Sequence, residues 1–366
     1  MTMDIKRRTD YVYMEILRVL SAFAVIVIHV SGTNWSKLNI GDVDWTVQAF
    51  YNVGARFSLC VFCMITGALL LNPQKNIGIG EVYRRYVKRI LICLVVWTVV
   101  YAILYTIMES AGDLVYFIKH LFVLPKHFWY LIMLVGLYLA LPVLRVITAN
   151  KNVTLYLIWI LIIFGMIFGT IKGTVELFKD VAEAGVGYQL CNVILNNLND
   201  LNRTFVPGYL GCFLLGHYVH EHGLGKWSKL IVFMAIPSLL LSAALTILFS
   251  MITDSHVYTF MLETNPLILL ASVGIFEFFK GEKGKERVYD VNSRLVKWIL
   301  FISGNTFGVY LSHLVILKFV DRYFKLGAYS FPSIISVPLI SLLVFLLALG
   351  ITVILKMIPL VKKTVT

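Results

Sequence analysis

The chain has 366 residues, 59% of them hydrophobic and only 14% charged, with a mean hydropathy of +0.83. Soluble domains carry about 25% charged residues, and a core this apolar would leave too little polar surface to cover it, so the composition excludes an ordinary water-soluble enzyme. The net charge of +12 would suggest nucleic acid in a soluble protein, but most charges sit in short loops between apolar runs, which is the pattern of membrane orientation.

Apolar windows of about 20 residues mark spanning helices. They predict an all-α integral membrane protein with ten spans, at 12–31, 46–71, 86–108, 128–147, 153–171, 204–220, 229–250, 258–279, 296–319 and 331–358. No internal repeat and no Pro- or Ser-rich linker interrupts them, so residues 1–366 read as one membrane domain.

The first span is the most informative. Lys6, Arg7 and Arg8 precede it as in a signal peptide, but it lacks a small-x-small cleavage site and carries Arg18 and His29, so it reads as a retained helix. An Arg inside a span costs about 2.5–3.5 kcal/mol on insertion scales, which such residues offset by a partner or a function. Eleven residues of helix turn through about 1100°, so Arg18 and His29 share a face, about 16 Å apart along the axis. Glu15, Ala22 and Val25 complete that stripe. The separation matches the pantetheine arm of coenzyme A: an arginine at the cytoplasmic end for phosphate, a histidine at the other for the thioester. A purely structural reading pairs Arg18 with Glu15 and leaves His29 as a hydrogen-bonded interfacial histidine.

The second span contains Arg56, followed by Cys60-Val-Phe-Cys63. That Cys pair has no partner pair, so packing is expected rather than zinc or redox chemistry, and no metal is expected anywhere. Before the third span stands Tyr83-Arg84-Arg85-Tyr86-Val87-Lys88-Arg89. Arginine forks match phosphate oxygens, and Arg85 and Arg89 lie one helical turn apart; ordinary inside-positive anchoring explains the same run. No Walker-type loop accompanies it, which counts against ATP. His127-Phe-Trp129-Tyr opens the fourth span, and His313 lies in the ninth. Arg56, His127, Trp129 and His313 are weaker, substrate-side candidates, each equally readable as interhelical glue. Residues 172–203 form the longest outer loop, rich in acids and amides, either a solvated connector or a cap facing a hydroxyl-bearing acceptor. His217, His220 and His222 have poor spacing for a metal and read as interfacial anchors. With the N-terminus inside, 21 Lys and Arg fall in inner segments and nine in outer loops, which predicts both termini in the cytoplasm and an even number of spans.

Taken in order, Arg18-x10-His29, Cys-Met-Ile-Thr-Gly-Ala-Leu-Leu-Leu at 63–71, Tyr-Arg-Arg at 83–85 with Arg89, His127-x-Trp129-Tyr-Leu, Gly-Tyr-Leu-Gly-Cys-Phe-Leu-Leu-Gly at 208–216 and Phe-Gly-Val-Tyr-Leu-Ser-His at 307–313 resemble the acyltransferase-3 family, the membrane-bound O-acyltransferases of bacterial surface polysaccharides. The resemblance implies a ten-helix fold in the plasma membrane of a bacterium, cytoplasmic acyl-CoA (by default acetyl-CoA) as donor, and a surface glycan or glycolipid hydroxyl as acceptor. It further implies that Arg18 and His29 are essential and that Arg84, Arg85 or Arg89 serve the coenzyme. The chain looks like the short, stand-alone form of the family. It departs at Cys60-Val-Phe-Cys63, where relatives tend to have Pro-Leu-Phe-Phe. Membrane lipid is then an expected partner and nucleic acid is not. The competing readings are a transporter or flippase of a lipid-linked saccharide, and a membrane module serving a separate enzyme.

Overall fold

The computed structural model of the protein describes residues 11–75, 77–110, 112–177, 208–358 and 364. Lys6 to Arg8, most of the outer loop expected at 172–203, and Lys362 and Lys363 lie outside them. The architecture is a helical bundle. Helix α1 spans Val12–Gly32, α2 Val43–Ala55 and α3 Phe57–Leu70. A π-helical turn at Val82–Val87 leads into α4, Lys88–Glu109. The short α5, Leu114–Phe122, buries none of its residues and precedes α6, Trp129–Thr148. Helix α7, Lys151–Ile162, continues through a second π-helical turn into α8, Phe168–Glu176. Then come α9, Gly208–His222, α10, Ser228–Thr253, and α11, Pro266–Lys280. A two-residue-stranded hairpin, β1 Gly281–Glu282 with β2 Lys285–Glu286, separates these from α12, Arg294–Ser303, α13, Thr306–Phe324, and α14, Ser333–Met357.

Every span expected from hydropathy falls on one or more of these helices. Among the described residues, eight helical segments are long and apolar enough to cross a bilayer, and nine if α12 and α13 form one span bent by 63°. The bend falls at Gly304 and Asn305. The sequence gives no proline there, and 296–319 reads as continuous from hydropathy alone. The described part of α9 is 15 residues long.

The apolar residues divide by neighbour rather than by hydropathy. Helix α1 packs against α2, α3, α11, α12, α13 and α14, so it is enclosed on most sides and Leu17, Val25, Ile26 and Val30 are buried. The α2–α3 span is 67% buried, whereas the span of α10 is only 28% buried and presents Phe233, Ile236 and Leu240 outward. In a bilayer such a surface is solvated by acyl chains, with backbone groups satisfied within each helix. Helices α3 and α9 come closest together: a methyl group on Gly67 would meet the Phe213 carbonyl oxygen at 1.8 Å, and one on Gly216 the Met64 carbonyl oxygen at 2.0 Å. Only glycine permits that approach, which replaces lipid contact by dense helix packing. The close pairing sets Cys60, Cys63 and Cys212, all buried, in the core as small packing residues.

Candidate active site

A cavity of about 580 Å³ lies between one end of α1, the α2–α3 junction and the start of α6. His29, Asn52, Arg56, His127, Trp129, Tyr130, Glu263 and Tyr310 all line it. Four of these are sequence-derived candidates, brought together from α1, the α2–α3 junction and the segment that opens α6.

The charged wall is built from α2 upward. Asn52 donates through Nδ2 to the Ile28 carbonyl at 2.9 Å and to Ser31 Oγ at 3.1 Å, which ties α2 to α1. Its Oδ1 accepts from Arg56 Nε, one turn on, at 2.9 Å. Arg56 is the single residue that separates α2 from α3, and its Nη1 meets Glu263 Oε1 at 2.5 Å. The hydroxyl of Tyr209 donates to the second oxygen of Glu263 at 3.2 Å, and the Cys60 thiol to its backbone carbonyl at 3.2 Å. An arginine in a low-dielectric site is therefore held by a carboxylate and an amide, as its desolvation requires. Reading the sequence alone overlooks Glu263, Asn52 and Tyr209. The available signals were a lone acid near the outer end of the eighth span and an amide one helical turn before Arg56.

The second wall is a histidine cluster. The His29 ring lies 5.2 Å from that of His313 and 6.4 Å from that of His127, and the His127 and His313 rings are 5.0 Å apart, centroid to centroid. His127 is placed by its backbone carbonyl, which accepts from the Tyr310 hydroxyl at 2.5 Å, and by the rings of Tyr101 and Phe128. The Leu311 carbonyl approaches its ring, but neither ring nitrogen makes a well-formed hydrogen bond. His313 does not line the cavity; it stands behind the other two and is fully buried. Trp129 is 41% exposed at the mouth, its ring 5.4 Å from that of Tyr209 and tilted to it by 49°. Lys37, Lys126 and Tyr258 also stand at the mouth. Three clustered histidines invite a metal, yet among the described residues no group of three His, Cys, Asp or Glu side chains is arranged to hold one.

At the other end of α1 the arrangement is open. Arg18 Nη1 pairs with Glu15 Oε1 at 2.6 Å, and the second Glu15 oxygen takes a hydrogen bond from Ser303, beside the α12–α13 bend. Arg89 lies over the Phe307 ring at 5.2 Å. Tyr138 of α6 is within electrostatic range of both Arg89 and Arg18, and its ring is 5.5 Å from that of Tyr86. Arg84, Arg85 and Arg89 are exposed, and Arg85 reaches back to Glu81 at 2.9 Å. The Tyr-Arg-Arg run forms the π-helical turn itself, a geometry frequent at functional sites because it re-aims side chains. Thus the Glu15 pairing and the shared basic neighbourhood with Arg89 coexist on Arg18.

A separate cavity of about 420 Å³ lies on a different side of this end, lined by Tyr11, Tyr13, His220, Lys280, Glu286 and Arg287. Its charges are mixed. Hydrogen bonds from the Gly284 and its own backbone N–H hold the Glu286 carboxyl below the usual carboxylate range, and Lys280 is engaged by Glu277 at 3.1 Å. Of the three inner histidines, His217 is buried rather than interfacial, and His220 shares a hydrogen bond with the Tyr13 hydroxyl at 2.8 Å.

Neither the curated proteins nor the solved structures contain a match to this chain. A family model described as an acyltransferase domain matches residues 11–357, from the first residues of α1's approach to the last of α14. With that match covering nearly every element just described, the chain belongs to the acyltransferase-3 family and is a multi-pass membrane acyltransferase.

Proposed function

We propose that the protein is an O-acyltransferase that moves an acyl group, by default acetyl, from cytoplasmic acyl-CoA to a hydroxyl of a cell-surface or lipid-linked carbohydrate. The observation that carries this reading is the placement of Arg18 and His29 on one helix: His29 faces a polar cavity at one end, while Arg18 stands near Tyr138 and Arg89 at the other. Both termini are cytoplasmic in this reading, so the arginine end faces the donor pool. The coenzyme's phosphates meet Arg18 and Arg89, with Arg84 and Arg85 as outer cations, and the pantetheine arm runs beside α1 toward His29.

In the cavity, His29 takes the proton of the acceptor hydroxyl as its oxygen attacks the thioester carbonyl. The new C–O bond forms, the C–S bond breaks, and the coenzyme thiolate leaves and recovers that proton from His29. Arg56, fixed by Glu263 and Asn52, stabilises the charge that gathers on the carbonyl oxygen. Trp129 and Tyr258 at the mouth supply flat apolar faces, and the neighbouring amide, hydroxyl and lysine groups supply hydrogen bonds, a combination suited to sugar rings. The bacterial plasma membrane is the corresponding location.

The test is acyl-CoA binding to the purified protein in nanodiscs, wild type beside Arg18→Ala and Arg85→Ala. Saturable binding weakened by the substitutions supports the reading. Well-folded wild-type protein that binds no acyl-CoA overturns it.

A further inference from the structure

His313 is a buried titratable group that this mechanism leaves without a task, and its surroundings define one. Its Nδ1 lies 2.6 Å from the Tyr310 carbonyl oxygen. A carbonyl has no proton to give, so Nδ1 carries the hydrogen, and in the neutral ring Nε2 is then a bare lone pair. That nitrogen is fully buried and has no hydrogen-bond partner. An acceptor kept unpaired in a low-dielectric interior is costly, and native structures retain one where a function uses it.

Two donors are near enough. The ring of His29 is centred 5.2 Å away and that of His127 5.0 Å away. At these centroid separations, rings turned edge to edge bring nitrogen to nitrogen within hydrogen-bond distance of about 3 Å. His127 already has the Leu311 carbonyl beside its ring. The His29 ring makes no hydrogen bond to a described residue, while its backbone carbonyl accepts from Thr33 Oγ1 at 2.7 Å. Histidine bases are ordinarily oriented by a third group, most often a carboxylate. The groups around this cluster are Arg56, Tyr101, Tyr310 and Glu263, and Glu263 is occupied by Arg56 and Tyr209. Among the described residues no carboxylate is left to orient His29.

We infer that His313 takes that part: its Nε2 accepts the N–H of His29, fixes the His29 tautomer, and leaves the other His29 nitrogen bare toward the cavity to receive the hydroxyl proton. His313 is thus a positioning residue, behind the cavity rather than in it. The inference rests on the acyl-transfer reading above, and its test separates the two. His313→Asn keeps a donor for the Tyr310 carbonyl but has nothing at the Nε2 position, whereas His313→Gln places an amide oxygen there. Both are polar and of similar size, and acyl-CoA affinity in nanodiscs reports that each variant is folded.

The readout is release of coenzyme thiol from acetyl-CoA, as transfer or as hydrolysis. For His313→Asn the expected result is a fall in kcat of about 100-fold with unchanged acetyl-CoA affinity, and for His313→Gln recovery to within about tenfold of wild type. Combining His313→Asn with His29→Gln should cost no more than His29→Gln alone, because the two act as one unit. Equal rates for the Asn and Gln variants, or additive losses in the double variant, would overturn the role of His313 while leaving acyl transfer standing. A wild-type protein that neither binds nor turns over acetyl-CoA overturns both.

Discussion

The two ends of α1 carry their key residues in opposite ways. At the His29 end, donors and acceptors are locked among helices far apart in the chain: Arg56 against Glu263, Asn52 against α1, Tyr310 against the His127 carbonyl. At the Arg18 end the nearby arginines of the Tyr-Arg-Arg turn are exposed, and Arg85 pairs with its own helical neighbour Glu81 and lies over the Tyr86 ring. The first arrangement suits chemistry, since preorganised groups in a dry site need little rearrangement when charge develops. The second suits capture of a highly charged, mobile ligand, since exposed arginines exchange water for phosphate at small cost.

This contrast is breakable. The largest effect is expected at His29: His29→Ala should lower acyl transfer by about 10²–10⁴-fold with acyl-CoA affinity intact, measured by thiol release and by binding in the same preparation. A variant keeping more than a tenth of wild-type activity would move the chemistry elsewhere. Next comes Glu263→Gln, which strands Arg56 in a partly buried site. Breaking such a pair costs on the order of 3 kcal/mol, visible as a clear drop in thermal unfolding temperature in nanodiscs, together with lost activity. An unchanged melting curve would mean that the pair is dispensable and the cavity wall is not preorganised. Arg18→Ala should raise the acyl-CoA Kd by roughly 10–100-fold, the loss of one charge-assisted contact, and leave kcat at saturation nearly unchanged. A loss confined to kcat would instead assign Arg18 to the reacting end. The smallest effect is on stability at Arg85. Its pair with Glu81 is 62% and 38% exposed, so Arg85→Ala should change unfolding by less than about 1 kcal/mol while still weakening acyl-CoA binding. A large stability loss there would make the turn structural.

Much of the fold is legible without coordinates, for a definite reason. A bilayer requires long apolar runs in which each helix satisfies its own backbone, so hydropathy alone locates helices at all ten expected segments. The bend between α12 and α13 is not legible, because Ser303-Gly-Asn305 is unremarkable in hydropathy and the contact beside it, Ser303 donating to Glu15 of α1, comes from 288 positions away. The same holds for the one-residue break at Arg56, which depends on Asn52 and Glu263.

The site divides likewise. Residue type and helical spacing were enough to single out Arg18, His29, Arg56, His127, Trp129 and His313, since polar groups inside apolar spans are conspicuous and one turn of helix is a fixed rotation. Spacing could not separate the cavity-lining His29 and His127 from His313 behind them, nor find Glu263, 207 positions from its partner Arg56. Those assignments are set by which helices α1 touches, and helix packing in a membrane is decided by close fits such as Gly67 against Phe213 and Gly216 against Met64. Such fits depend on the shapes of two distant surfaces at once, so no single stretch of sequence contains them.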